Sequence, residues 1–168
     1  MSTRSRIGIK NDDGTITSIY CHSDGYLGGV GALLADHYAT EEHVRALLAV
    51  GNVSELGVEV GDKIGFDVRE WRPSPRGRGW VDQALQCVAY GRDRGDVGQQ
   101  ATVSVSFDAL KREHLLGSFG PDHLYLFYPG EGWRWFPYPF FEDQGRLLSE
   151  VLAVVQQAID QGEPRAGR

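Results

Sequence analysis

Arg6-Ile7-Gly8-Ile9-Lys10-Asn11-Asp12-Asp13-Gly14-Thr15-Ile16-Thr17-Ser18-Ile19-Tyr20 contains two short alternating runs with a turn between them. Side chains alternate between the faces of a strand, so Ile7 and Ile9 share one side of the first run. Asp13-Gly14 supplies the positive φ that a tight hairpin turn requires. The expectation is an N-terminal β-hairpin whose Ile7, Ile9, Ile16 and Ile19 contact a core. Alternation fails between Ile16 and Ile19, which leaves room for a bulge or a frayed end. The second run then delivers Tyr20 and His22 to one face and Cys21 to the other.

Beyond this hairpin, Asp24-Gly25-Tyr26-Leu27-Gly28-Gly29 turns the chain, and Val30, Leu33, Leu34, His37 and Tyr38 recur at helical spacing. Thr40 has the chemistry of an N-cap, with Glu41 and Glu42 favourable in the first turn. Val44, Leu47 and Leu48 form an apolar stripe, and Gly51 suits the C′ position. Two helices so closely joined pack as a pair on the sheet. Residues 52–61 read as loop and 63–68 as a short strand. Residues 69–80, with four arginines, two tryptophans and several prolines and glycines, read as an exposed loop or insertion.

Residues 86–90 read as a buried strand, running into a charged turn at 91–96. Residues 102–107 alternate, with Val103, Val105 and Phe107 on one face. Strands at 123–128 and 133–138 flank Pro129-Gly130-Glu131-Gly132, a second hairpin signal. The aromatic stretch from Leu124 to Phe141 suits either a core face or an interface between copies of the chain. The last helix is expected at 142–161, with Leu148, Val151, Leu152, Val155 and Ile159 on one side. Hairpins with helices gathered at intervals imply an α+β fold with a mainly antiparallel sheet, a central helix pair and a C-terminal helix. The expected organisation is a single domain over residues 1–162, with a disordered tail at 163–168.

The chain has 168 residues, a length that suits one domain with a real core. Its net charge of −6 argues against binding duplex nucleic acid, which depends on neutralising phosphates. No apolar run approaches the roughly 20 residues that a membrane span needs. Cys21 and Cys87 are the only cysteines, too few for a four-cysteine zinc site, and nothing resembles a secretory signal. Two reduced thiols fit a cytoplasmic protein. Neither a metal nor a cofactor is expected: Cys21 and His22 sit on opposite strand faces, and no HExxH, Walker or G-x-S-x-G pattern occurs.

Candidate ligand-binding residues fall in two clusters. Tyr20, His22, Asp24 and Tyr26 combine ring faces, a group that titrates near neutrality and a carboxylate for hydroxyls. Asp24-Gly25 also fits a plain Asx turn. Arg92-Asp93-Arg94 places two guanidinium forks in a turn, suited to phosphate or carboxylate, or simply to local ion pairs. Arg4 adds cationic reach from the N-terminus, with Arg6 beside it. Arginine interleaved with tryptophan at 69–80 fits single-stranded nucleic acid, a protein surface, or a floppy insertion.

The opening Ser2-Thr3-Arg4-Ser5-Arg6-Ile7-Gly8-Ile9, the turn Asp13-Gly14-Thr15 and the box Ile19-Tyr20-Cys21-His22-Ser23-Asp24-Gly25-Tyr26 resemble a family of small bacteriophage and prophage proteins. Those proteins read as a T-R-S start, a D-G-T/S turn and a Y-C-H-x-D-G-Y box. The likeness continues through His37-Tyr38 and residues 48–56, and returns at Ala89-Tyr90-Gly91-Arg92-Asp93-Arg94-Gly95. The box usually carries Trp where this chain has Ser23, so any stacking by that ring comes from elsewhere here. The resemblance implies a viral setting, and that the box and the Arg-Asp-Arg turn belong to one site. It carries no activity with it.

From these residues and that setting, the expected function is a non-catalytic binding protein. It would sequester a small anionic, nucleotide-derived immune signal in the host cytoplasm, possessing rings to stack, Asp24 for hydroxyls and arginines for phosphate. The alternatives are a protein that blocks a host defence complex by surface contact, and a small hydrolase or phosphodiesterase using His22 and Asp24 as acid and base.

Overall fold

In the computed structural model, residues 2–140 and 142–162 are described. The tail at 163–168 and Phe141, at the end of the aromatic stretch, lie outside them. The chain is α+β. The N-terminal hairpin forms as β1 (Ser5–Lys10) and β2 (Ile16–Cys21). Gly14 closes its turn at φ 84, donating to the Asn11 carbonyl, while the Asn11 amide donates to Thr15.

The hairpin register runs unbroken from Ser5↔Cys21 to Lys10↔Ile16, so there is neither bulge nor frayed end. The irregular isoleucine spacing has another cause. Ile19 packs with Ile7 and Ile9 in the main core, whereas Ile16 enters a second cluster with Leu110, Leu124, Leu126 and Phe136. The sheet is covered on both sides, so both isoleucines are buried without a break in pairing.

A π-helical turn (Leu27–Gly31) leads into α1 (Ala32–His37), and α2 (Glu41–Val50) follows, with the Thr40 side chain accepting from the His43 amide and Gly51 at φ 83. The region expected to be loop instead forms β3 (Val53–Glu55) and β4 (Gly57–Glu59). Residues 63–68 form no strand. The chain continues as β5 (Trp71–Arg72), β6 (Gln83–Gln86), β7 (Val88–Ala89) and α3 (Tyr90–Arg94). Then come β8 (Thr102–Ser104), α4 (Phe107–Leu110), β9 (His123–Tyr128), β10 (Gly132–Pro137), β11 (Arg146–Leu147) and α5 (Leu148–Asp160).

The large sheet has the order β11-β10-β9-β1-β2-β3-β7, with β8 on the far half of β2. Most pairs are antiparallel; β1 with β9 and β2 with β3 are parallel. A separate three-stranded sheet, β4-β6-β5, stands beside it. Helices α1, α2 and α5 cover one face over a core containing Tyr125, Trp133, Leu47 and Leu152. The aromatic hairpin is therefore core: Tyr125 and Phe136 are fully buried.

Three further expectations are corrected. The strand at 102–107 ends at Ser104, because Ser106 caps α4 through the Ala109 amide, and Val103 and Val105 are exposed. The charged turn at 91–96 is largely α3, closed by Gly95 at φ 85. Residues 69–80 are pinned, not a free insertion. Arg76 forks onto Asp36 at 2.7 and 2.8 Å, and the buried Trp80 indole donates to Gln156 at 2.8 Å. Among the described residues, no helix is long and apolar enough to cross a membrane.

Candidate functional site

The β1–β2 register assembles one group. Arg6 faces Tyr20 across the ladder, and Arg4, just before its last pair Ser5↔Cys21, is close enough to act on the Tyr20 phenol. Cross-strand partners share a face, so Arg4, Arg6, Tyr20 and His22 lie on one side of the hairpin. The Tyr20 hydroxyl and His22 Nδ1 are 2.9 Å apart, in a bond whose direction the imidazole tautomer sets. Asn52 holds the strand there by accepting from the Tyr20 amide at 2.8 Å. Burial raises the Tyr20 phenol above its ordinary value, and Arg4 opposes that.

The two arginines on this face are engaged to different degrees. Arg4 uses its amide to bond Asp122 and its carbonyl to accept from Asp122 and His123. Its guanidinium has no partner among the described residues, and Nε is buried. Arg6 is 7% exposed, donating from Nε to Ser18 Oγ at 2.8 Å and from Nη2 to Thr102 Oγ1 at 2.7 Å. Burial lowers it to about 10, against the pull of Glu113, so it still carries its charge at neutral pH. Neither guanidinium forms an ion pair among the described residues. Two carboxylates lie close by: Asp122 accepts from the Arg4 amide and acts on the Tyr20 phenol, and Glu113 acts on Arg6.

Asp24 points elsewhere. It adopts φ 52, in the left-handed region, and its carbonyl accepts from Val30 to start the π-helical turn. Gly25 follows because a Cβ there would sit 2.7 Å from the Arg4 carbonyl carbon. Asp24 lines a narrow cleft with Ser23, Glu55 and Trp71, and among the described residues no hydrogen bond joins it to His22. Glu55 is 7% exposed. Burial first, then Asp24, push it up to about 7, against Arg69 at 3.9 Å and Ser23. Tyr26 is 4% exposed, within the core.

The Arg-Asp-Arg segment is engaged by the chain itself. Arg92 donates from Nη1 to the carbonyls of Val60 and Gly61, from Nη2 to Cys87, and through Nε and Nη2 to Asp93. Asp93 also accepts from the Ala89 and Ile64 amides at 2.7 and 3.1 Å. Desolvation pushes the Asp93 carboxyl up, but these donors together hold it below its ordinary value. The pair ties β7 to the loop at 60–64. Arg94 lies 4.4 Å over Phe66 and 4.9 Å over Tyr90, and pairs with Asp96 at 2.6 Å. Asn52 links Tyr90 to the hairpin, its carbonyl accepting from the Tyr90 amide and its side chain from the Tyr20 amide.

Of the residues singled out from sequence, Arg4, Tyr20 and His22 come together; Asp24, Tyr26, Arg92, Asp93 and Arg94 have other surroundings. Sequence reasoning offered Arg6 only as cationic reach beside Arg4, although pairing the hairpin through Asp13-Gly14 puts it opposite Tyr20. It gave no signal for Glu55, which lies in a stretch read as loop. Cys21 and Cys87 are buried and free, and no metal-binding cluster occurs among the described residues. Comparison of the chain with protein-family models, with curated proteins and with solved structures finds no match.

Proposed function

We propose that the chain is a binding protein that captures a small anionic, nucleotide-derived ligand without turning it over. The observation that carries this reading is the pair Arg4 and Arg6, two guanidinium groups without carboxylate partners on the face that presents Tyr20 and His22. A guanidinium fork matches phosphate geometry, and the terminal nitrogens of Arg4 have no partner among the described residues, while its Nε is buried. Arg6, held inside, contributes field more than contact. Tyr20 offers a ring for a base. The resemblance to bacteriophage proteins supplies the setting: a sponge in the host cytoplasm that removes a nucleotide immune signal.

A hydrolase built on His22 and Asp24 draws little support, because the imidazole bonds Tyr20 and no hydrogen bond joins it to Asp24 among the described residues. The test is retention. Purified protein is heat-denatured and filtered, and the filtrate is read by ultraviolet absorbance and mass spectrometry. The expected result is a nucleotide released from the native chain and lost from Arg4→Gln and His22→Ala. A filtrate empty across host extracts, or retention undiminished in both variants, overturns the reading.

A further inference from the structure

The side chains on the Tyr20 face continue past the hairpin into the aromatic strands. Tyr20 pairs with Arg6, Arg6 with Leu124 and Leu124 with Phe136, so one row crosses β2, β1, β9 and β10. Two positions nearer the same end of the sheet, the last three strands carry Arg4, Asp122 and Tyr138. Side chains alternate along a strand, so this second row shares the face of the first. Backbone bonds hold it in line. The Arg4 carbonyl accepts from the Asp122 amide at 2.9 Å, and the Asp122 carbonyl from the Tyr138 amide at 3.3 Å. Arg4 and Asp122 both act on the Tyr20 phenol, which sets their charges on its side of the sheet. The Tyr138 ring stands edge-on to Phe140, which clusters with Phe136 and Leu124.

Each of the three leaves something open. The terminal nitrogens of Arg4 have no partner among the described residues. Asp122 gives one carboxylate oxygen to the Arg4 amide, at 3.0 Å, and its other oxygen has no partner among the described residues. Tyr138 is 66% exposed, although it packs on a buried cluster. Neighbouring strands lie about 5 Å apart, so a donor fork, an acceptor and a ring stand in a line about 10 Å long. Their order matters. A carboxylate in the middle repels a phosphate placed there and accepts from hydroxyls. Phosphate is therefore confined to the Arg4 end, where the fork matches its oxygens. At the other end Tyr138 offers a face for stacking. Phosphate, hydroxylated sugar and base follow one another in this order in a ribonucleotide, and a carboxylate on ribose hydroxyls is how dinucleotide-binding folds hold that sugar.

We infer that Asp122 and Tyr138 complete the Arg4 site and that its ligand is a ribonucleotide, with phosphate on Arg4, ribose hydroxyls on Asp122 and base on Tyr138. Tyr20, half-buried and bonded to His22, then lines the phosphate end. This assignment rests on the anion-binding reading of Arg4 and narrows it, since a bare phosphate or a sugar without hydroxyls uses only part of the row.

The test is calorimetric titration of the full chain with adenosine 5′-monophosphate, its 2′,3′-dideoxy counterpart and ribose 5-phosphate. Expected is saturable binding of the first, weakened roughly tenfold by loss of the hydroxyls, by loss of the base, or by Tyr138→Ala, and kept in Tyr138→Phe. Asp122→Asn keeps an oxygen for the Arg4 amide, and should erase the preference for the hydroxylated sugar, which a merely structural role would leave in place. Arg4→Gln should weaken all three probes together. Binding that falls in Arg4→Gln but ignores both the hydroxyls and Tyr138→Ala overturns the row and leaves the anion site standing. Binding unchanged in Arg4→Gln overturns both. No binding of adenosine 5′-monophosphate at millimolar concentration overturns the row, while nucleotide release in the retention experiment still reports on Arg4 by itself.

Discussion

Two acidic regions of this molecule have similar inventories and opposite outcomes. Asp93 is a buried carboxylate with Arg92, two backbone amides and a helix start around it, and every acceptor position is filled by the chain. Glu55 is equally buried, yet among the described residues its ion pair is with Arg69 alone, at 3.9 Å, Ser23 adds a hydrogen bond, and Asp24 works against its charge. The first charge holds the fold together; the second is tolerated by it. A charged residue therefore points to a ligand only when the fold has not already surrounded it with partners. The same contrast separates Arg92, whose donors all end on carbonyls or Asp93, from Arg4, whose guanidinium has no partner among the described residues.

The comparison breaks most visibly at Asp93. Asp93→Ala strands a buried guanidinium and two amides, and should destabilise the chain by on the order of 3 kcal/mol, read as a lower urea midpoint. A shift within error would mean that the clamp is decorative. Glu55 should show the reverse. Its folded value of about 7 lies above the ordinary 4.5, so its favourable contribution is complete below pH 4.5 and is lost as pH rises through about 7. The wild-type chain should lose up to about 3 kcal/mol between those limits relative to Glu55→Gln, whose pH dependence is flatter. Parallel stability profiles for the two proteins would remove the strain assigned to this carboxylate.

Smaller effects sharpen the distinction between engaged and free cations. Arg4→Gln should cost at least about tenfold in nucleotide retention, with little change in the unfolding midpoint. Arg92→Gln should lower the midpoint clearly, and touch retention only through the fold. Least of all, Arg94→Ala should shift the midpoint slightly, since its pair with Asp96 is half exposed and screened by salt. An Arg94 variant that abolished retention would bring the stack into the site itself.

Local chemistry carried much of the architecture. Asp13-Gly14 and the flanking alternation predict the hairpin and its turn, Thr40 and Gly51 bracket α2, and Pro129-Gly130-Glu131-Gly132 joins β9 to β10. These signals depend on residues within a few positions of one another, which is why they are legible in one dimension. Reading failed where pairing partners are far apart in the chain. β3 and β4 looked like loop because strands of three residues have no periodicity to detect; they exist because β2 and β6 offer them parallel edges. Val103 and Val105 alternate like a buried strand, but the cap at Ser106 and the edge position of β8 leave them in water.

The grouping of Arg4, Tyr20 and His22 was half visible, since the hairpin register that joins them follows from one turn. By itself, then, the sequence determined the elements whose stabilising contacts are local, and the side chains that share a face of the first hairpin. Only the tertiary structure decided which charges are already matched. It closed Arg92 and Asp93 onto carbonyls and amides from 60–64 and 87–89, and left Glu55 with Asp24 working against its charge from thirty-one positions away. Whether a buried charge is satisfied depends on groups brought to it through space, and no spacing along the chain records that.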